Sequence, residues 1–156
     1  MAAARNEKPR WGTTAMLERM RRLLGLRPAD DAGAAGERLA AAWLQRERGF
    51  RVVARNWRNP RDRREELDLV CRDREVLVFV EVKSRAANAL VPGYYAVDKR
   101  KKRVLGRAIK AYLARLTAKP ATFRLDVVEI AEGGGDAEPT VRHFENVPLF
   151  GKHFRP

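Results

Sequence analysis

Two acidic strand positions and a lysine are the residues of this chain whose types and spacing could do chemistry. Asp68 lies in Glu66-Leu67-Asp68-Leu69-Val70, and Glu81 and Lys83 lie in Phe79-Val80-Glu81-Val82-Lys83. Strand side chains alternate, so Glu66 and Asp68 are expected on one face with Leu67 and Leu69 on the other. The same rule puts Glu81 beside Lys83, with Val80 and Val82 behind. Glu81 interrupts an apolar run from Val76 to Val82, where an unpaired carboxylate costs several kcal/mol in lost hydration. Lys83 alone would answer that charge as an ion pair. A second carboxylate on the neighbouring strand, Asp68, asks for a further cation or a shared proton. A divalent metal such as Mg2+ or Mn2+ meets the need, since it takes one or two carboxylates together with water and phosphate oxygens. Asp68, Glu81 and the Val82 carbonyl would be the ligands, and Lys83 would stand beside the attacking water. The corresponding chemistry is phosphodiester hydrolysis. On residue types alone, the ion pair and the metal site both remain open.

The elements that must position these residues follow from periodicity. Leu39, Ala40, Trp43 and Leu44 form an apolar stripe closed by Gly49, which predicts a helix over about 32–48 with Asp31 as its cap. Phe50 to Trp57 turns to β-branched and aromatic residues, and Arg58 to Asp62 predicts a basic loop. Glu66–Arg72 and Glu75–Lys83 predict two strands joined at Asp73-Arg74, the second buried on both faces. Asp98 can cap a helix to about Thr117, with Leu105, Ile109, Tyr112 and Leu116 on one stripe. Phe123–Ile130 and Thr140–Phe144 complete an α-β-β-β-α-β-β order around a Gly133-Gly134-Gly135 loop, a mixed α/β fold.

Charge narrows the partners. The 156 residues carry 33 Lys and Arg against 20 Asp and Glu, a net +13, which favours a polyanion through long-range steering and counterion release. Residues 1–30 predict a basic arm, with an amphipathic segment over Met16–Leu26. The second helix holds eight Lys or Arg and one acid between Asp98 and Arg115. Lys99, Arg100, Lys101, Lys102, Arg103, Arg107 and Lys110 are therefore candidate phosphate contacts, and Arg58, Arg61, Arg63 and Arg64 form a second basic loop. Asp126 is expected to pair with Arg124, His143 and His153 to be bystanders, and Trp43 to be core. The lone Cys71 excludes disulfides and multi-cysteine zinc sites. No stretch approaches the 20 or so apolar residues of a membrane span, and no secretory signal is visible. A cytoplasmic protein is the expectation.

Gly36-Glu37, Arg55-Asn56, Glu66-Leu67-Asp68-Leu69-Val70, the run from Val78 to Arg85, Lys99, and Arg124-Leu125-Asp126-Val127-Val128 together resemble the restriction-endonuclease-like nucleases of the PD-(D/E)xK type. More narrowly, they resemble the bacterial YraN family within that superfamily. The resemblance covers residues 31–150, leaving 1–30 as arm and 151–156 as tail. It implies a restriction-endonuclease-like mixed sheet flanked by helices and a metal-dependent nuclease acting on structured or branched DNA, with DNA favoured over RNA. The arrangement is also similar to archaeal Holliday-junction resolvases, which implies that Glu37 joins Asp68 and Glu81 at the metal. By helical spacing of about 100° per residue, Glu37 sits at the edge of the apolar stripe, where the helix dipole alone would also favour it. One departure from the family is Glu65, where a glycine is usual. The competing expectation is a nucleic-acid-binding protein of the same fold without catalysis, and a weaker third is a basic RNA-associated protein. A homodimer is left open.

Overall fold

The computed structural model describes residues 32–85, 99–131 and 139–149. The basic arm with its Met16–Leu26 segment, Asp31, Asp98, the Gly133-Gly134-Gly135 loop, His153 and the tail lie outside the described residues. Helix α1 (Ala32–Arg48) is followed by strands β1 (Arg51–Asn59), β2 (Asp62–Asp73) and β3 (Val76–Arg85), helix α2 (Lys99–Arg115), and strands β4 (Thr122–Ala131) and β5 (Thr140–Phe144). The five strands form one sheet in the order β1-β2-β3-β4-β5. Only the β3–β4 pair is parallel; the others are antiparallel. The long connection through α2 permits that parallel pair. The fold is thus the expected mixed α/β arrangement.

Local chemistry explains the element ends. Gly49 takes φ 68°, and the Phe50 amide donates to the Leu44 carbonyl over 3.1 Å, a left-handed cap that closes α1. The β2–β3 turn is Arg74-Glu75, one residue later than expected, with Arg74 at φ 54°. The expected loop at Arg58–Asp62 is also corrected. Strands β1 and β2 run on to a two-residue Pro60-Arg61 turn, so Arg58, Arg63 and Arg64 lie in strands and only Arg61 is in the turn. Asn59 braces the turn, its Oδ1 accepting the Arg61 amide at 3.1 Å.

Strand β3 divides the core by alternation. Leu77 and Phe79 pack with Leu105, Ala108, Ile109 and Tyr112 of α2, whereas Val78 and Val80 pack with Ala40, Ala41 and Leu44 of α1. Tyr112 stands edge-on to both Trp57 and Phe79. Strand β2 does not keep the expected alternation. Leu67 joins the α2-side cluster and Leu69 the α1-side cluster, so these two leucines do not share a face. The reset falls at Asp68, opposite Asn56, which takes φ 48° and lies between the paired rows Trp57↔Leu67 and Arg55↔Leu69. It occurs where β2 parts from β3: their pairing ends at Leu69↔Val80. Beyond that row β2 no longer has to follow the pleat of β3.

The α1 side is tied by a buried ionic network. Asp126, wholly buried, accepts bonds from Arg124 Nε at 3.0 Å, from the Asn146 amide at 2.9 Å and from His143 Nε2 at 2.9 Å. Burial alone would raise the Asp126 pKa, but the bonds from His143, Arg124 and Asn146 outweigh it and hold it below the ordinary carboxylate range. Arg124 also reaches Asp73 at 3.1 Å and lies over the Phe50 ring. The expected Arg124–Asp126 pair is present. His143 is not a bystander: it stands edge-on to Trp43 and Phe50 and fixes Asp126. Among the described residues no helix is long and apolar enough to cross a membrane. Asp126→Ala leaves Arg124 with Asp73 alone at hydrogen-bond distance and strands the Asn146 amide and the His143 ring nitrogen, and is expected to cost about 3–5 kcal/mol in urea unfolding. A loss under about 1 kcal/mol would deny the network its structural role.

Candidate functional site

The site occupies the fork where β2 and β3 separate. Glu81, one row beyond the last pair, is 1% exposed. Its Oε1 receives Lys83 Nζ at 2.9 Å and Lys101 Nζ at 3.0 Å. Its Oε2 is buried with no hydrogen-bond partner among the described residues. Across the fork, Asp68 Oδ2 accepts the Val82 amide at 2.8 Å, taking a ladder bond that β2 backbone would otherwise make. The N–H and C=O of one strand residue project to the same edge, so the Val82 carbonyl faces the same gap. Burial, then the charge of Glu81, push the Asp68 pKa up to about 7, with a smaller contribution from Glu37. Burial opposes the Lys101 ammonium, yet the charge and hydrogen bond of Glu81 and the charges of Asp68 and Glu66 hold its pKa above the ordinary lysine value.

Glu37 approaches from the α1 side because Gly36 lets the helix lie against β3. A methyl group at Gly36 would overlap Ser84 Oγ, although it would sit 3.6 Å from Ser84 Cβ, an ordinary contact. The glycine thus sets how near the first turns of α1 come to the fork. Glu65, the departure noted in the sequence, is 6% exposed and fully engaged. Asn59 Nδ2 and Arg107 Nε each donate to it at 2.7 Å, joining the β1–β2 turn to α2.

The candidate phosphate contacts divide. Lys101, one of the candidate phosphate contacts, turns into the fork and holds Glu81. Arg58 pairs across the strands with Glu66 at 3.1 Å, which gives Glu66 a structural partner. Arg61, Arg100, Arg103, Arg107 and Lys110 are exposed and Lys102 is half-buried; Lys99 opens α2. Arg64, Arg100, Lys101, Arg103, Val104 and Arg107 line an open basic groove of about 720 Å³, and Lys101 is the residue that this groove shares with the fork. Sequence reasoning missed Glu129, a buried carboxylate whose Cα is the β4 partner of Lys83. Alternation along Phe123–Ile130 placed it on the α2 side and was the available signal. Cys71 is buried, and burial pushes its thiol up to about 12, far from a reactive thiolate.

Two carboxylates, a strand carbonyl and an unserved Glu81 Oε2 fit a hard divalent ion completed by water. Among the described residues no three His, Cys, Asp or Glu side chains converge as a ligand group, so Asp68 and Glu81 are the carboxylate set and Glu37 contributes charge. The profile of the uncharacterised protein family UPF0102 matches residues 36–130. The chain is 46% identical to a UPF0102 protein of Anaeromyxobacter dehalogenans over 112 residues, 72% of this chain and 79% of that protein. It is 46% identical to one of Beutenbergia cavernae, covering 67% of this chain and 86% of the relative. A relative from Symbiobacterium thermophilum is 43% identical over 73% of this chain and 92% of its own length. All of these matches span the fork.

Asp68 keeps a proton in the native state that the unfolded chain releases near its ordinary value of 3.8. The native state therefore binds more protons between that value and about 7, and metal-free stability falls as pH rises through this window. Asp68→Asn keeps an acceptor for the Val82 amide without the charge. Its advantage over wild type in urea unfolding should grow from near zero at about pH 4 to on the order of 4 kcal/mol at about pH 8. A difference that does not change with pH would contradict the assignment. Gly36→Ala gains about 1 kcal/mol of helix propensity and loses part of it to the Ser84 hydroxyl, so it should be more favourable in a Ser84→Ala background than in wild type; strict additivity would show that the two residues do not touch.

Proposed function

We propose that this chain, which belongs to the uncharacterised protein family UPF0102, is a metal-dependent nuclease that hydrolyses phosphodiester bonds in structured or branched DNA. The reading is carried by one observation: Asp68 and Glu81 face a single gap where two sheet strands part, with a lysine on the same strand as Glu81. Mg2+ or Mn2+ held by Asp68, Glu81 and the Val82 carbonyl would polarise the phosphoryl group and lower the pKa of bound water. Asp68 loses its proton to become a ligand, which its elevated pKa permits near neutral pH. Lys83 stabilises the charge that develops on the attacking water and the phosphoryl oxygens. Arg100, Arg103 and Arg107 along the groove, with Lys99, Lys102 and Lys110 on the same helix, hold the phosphate backbone. Glu37 adds negative charge near Asp68, which strengthens attraction for the cation. The resemblance to the YraN family and to Holliday-junction resolvases points to DNA ahead of RNA, and a DNA substrate agrees with the cytoplasmic location expected from the sequence.

A second reading has its own support. Lys83 and Lys101 already answer the Glu81 charge, as a binding protein without catalysis would require. Cleavage of duplex, single-stranded, flap and four-way-junction DNA with Mg2+ or Mn2+ separates the two. The nuclease reading expects the wild type to cut at least one of these substrates. It expects Glu81→Gln to cut roughly 100-fold more slowly or not at all, with DNA binding intact. Tight, salt-dependent binding by a wild type that cuts none of them would favour the second reading.

A further inference from the structure

Glu81 is served unevenly. Two ammonium groups converge on Oε1, at 2.9 Å from Lys83 and 3.0 Å from Lys101, while the buried Oε2 has no hydrogen-bond partner among the described residues. Two cations on one oxygen repel each other, and beyond the single charge of Glu81 Lys101 has only the weaker pull of Asp68 and Glu66. The two lysines also differ in their anchorage. Lys83 belongs to the central strand, two residues from Glu81 and on the same face. Lys101 reaches over from the first turn of α2, its side chain is 37% exposed, and it lines the basic groove. A lysine carries a compact charge on a flexible four-carbon stem, so Lys101 has both the reach and the open space to leave.

We propose that Lys101 is a displaceable counter-ion: it holds Glu81 while the fork lacks a divalent cation, yields that carboxylate when the cation enters, and then turns to a phosphate of the strand lying in the groove. The inference rests on the metal-dependent reading above and adds an order of events to it. An entering divalent ion needs the Glu81 carboxylate and repels both neighbouring ammoniums. Lys83 has a short path along its own strand, whereas Lys101 can move into a groove built from Arg64, Arg100, Arg103 and Arg107. There it completes a row of positive charge that a phosphate backbone neutralises. The exchange keeps the fork close to charge balance both with and without the metal.

The test uses the full chain and Lys101→Met, which keeps the apolar stem and helix propensity while removing the charge. Calorimetric titration with Mn2+ in the absence of DNA should show the variant binding roughly tenfold tighter than wild type, because the competing cation on Glu81 is gone. DNA binding is then measured against salt, once without divalent ions and once with Ca2+ as a non-cleaving substitute. The variant's slope of log K against log salt should be shallower than wild type by about 0.9 with Ca2+ present, and equal to it without. Unchanged Mn2+ affinity in the variant, with normal binding by wild type, overturns the exchange alone. A slope difference of equal size with and without Ca2+ also overturns it, because Lys101 would then contact phosphate permanently. Failure of the wild type to bind Mn2+ at all overturns the metal-dependent reading and the exchange with it.

Discussion

A carboxylate buried in the central strand of a sheet must be answered by positive charge, and the arrangement around the fork follows from that requirement at Glu81. Desolvation of a lone carboxylate is costly enough to forbid the position unless cations are supplied. Lys83 supplies one from the same strand and Lys101 a second from α2. The helix rich in Lys and Arg is therefore not only a surface. Its third residue closes the ionic core of the sheet, and the remainder continues outward as the wall of a basic groove.

Two aspartates, one buried and one half-buried, show how the same side chain is used in opposite ways. Asp126 on the α1 side accepts bonds from Arg124, His143 and a backbone amide, and its pKa is depressed. Asp68 at the fork receives one backbone amide and faces Glu81, and its pKa is raised to about 7. The first is satisfied and rigidifies the sheet. The second is left with an unmet demand for positive charge, which is the electrostatic condition for taking up a cation. A raised pKa caused by burial and a like-charged neighbour is a known marker of functional sites, here supported by the orphaned Glu81 Oε2.

Much of this was legible in the sequence because it depends on period and polarity. The seven-element order, the two-faced burial of β3, the Glu81–Lys83 pair and the Arg124–Asp126 pair follow from alternation and from the cost of burying charge. Alternation failed at Asp68, where β2 leaves its partner and no longer has to keep the pleat, so Leu67 and Leu69 part. The turn at Pro60-Arg61 was read too wide because the charged residues beside it form cross-strand pairs, as Arg58 does with Glu66. Lys101 was read only as a phosphate contact, since helical spacing cannot reveal that the first turn overhangs a carboxylate on a different element. His143 was dismissed for want of ligand spacing, although its partner Asp126 lies on the adjacent strand.

The most direct test of the central claim is anomalous diffraction at the manganese edge from crystals of the full chain grown or soaked with Mn2+. A cation held in the fork gives a peak within about 2.0–2.6 Å of carboxylate oxygens of both Asp68 and Glu81. A fork without such a peak at saturating Mn2+, with Lys83 and Lys101 still paired to Glu81, would contradict it.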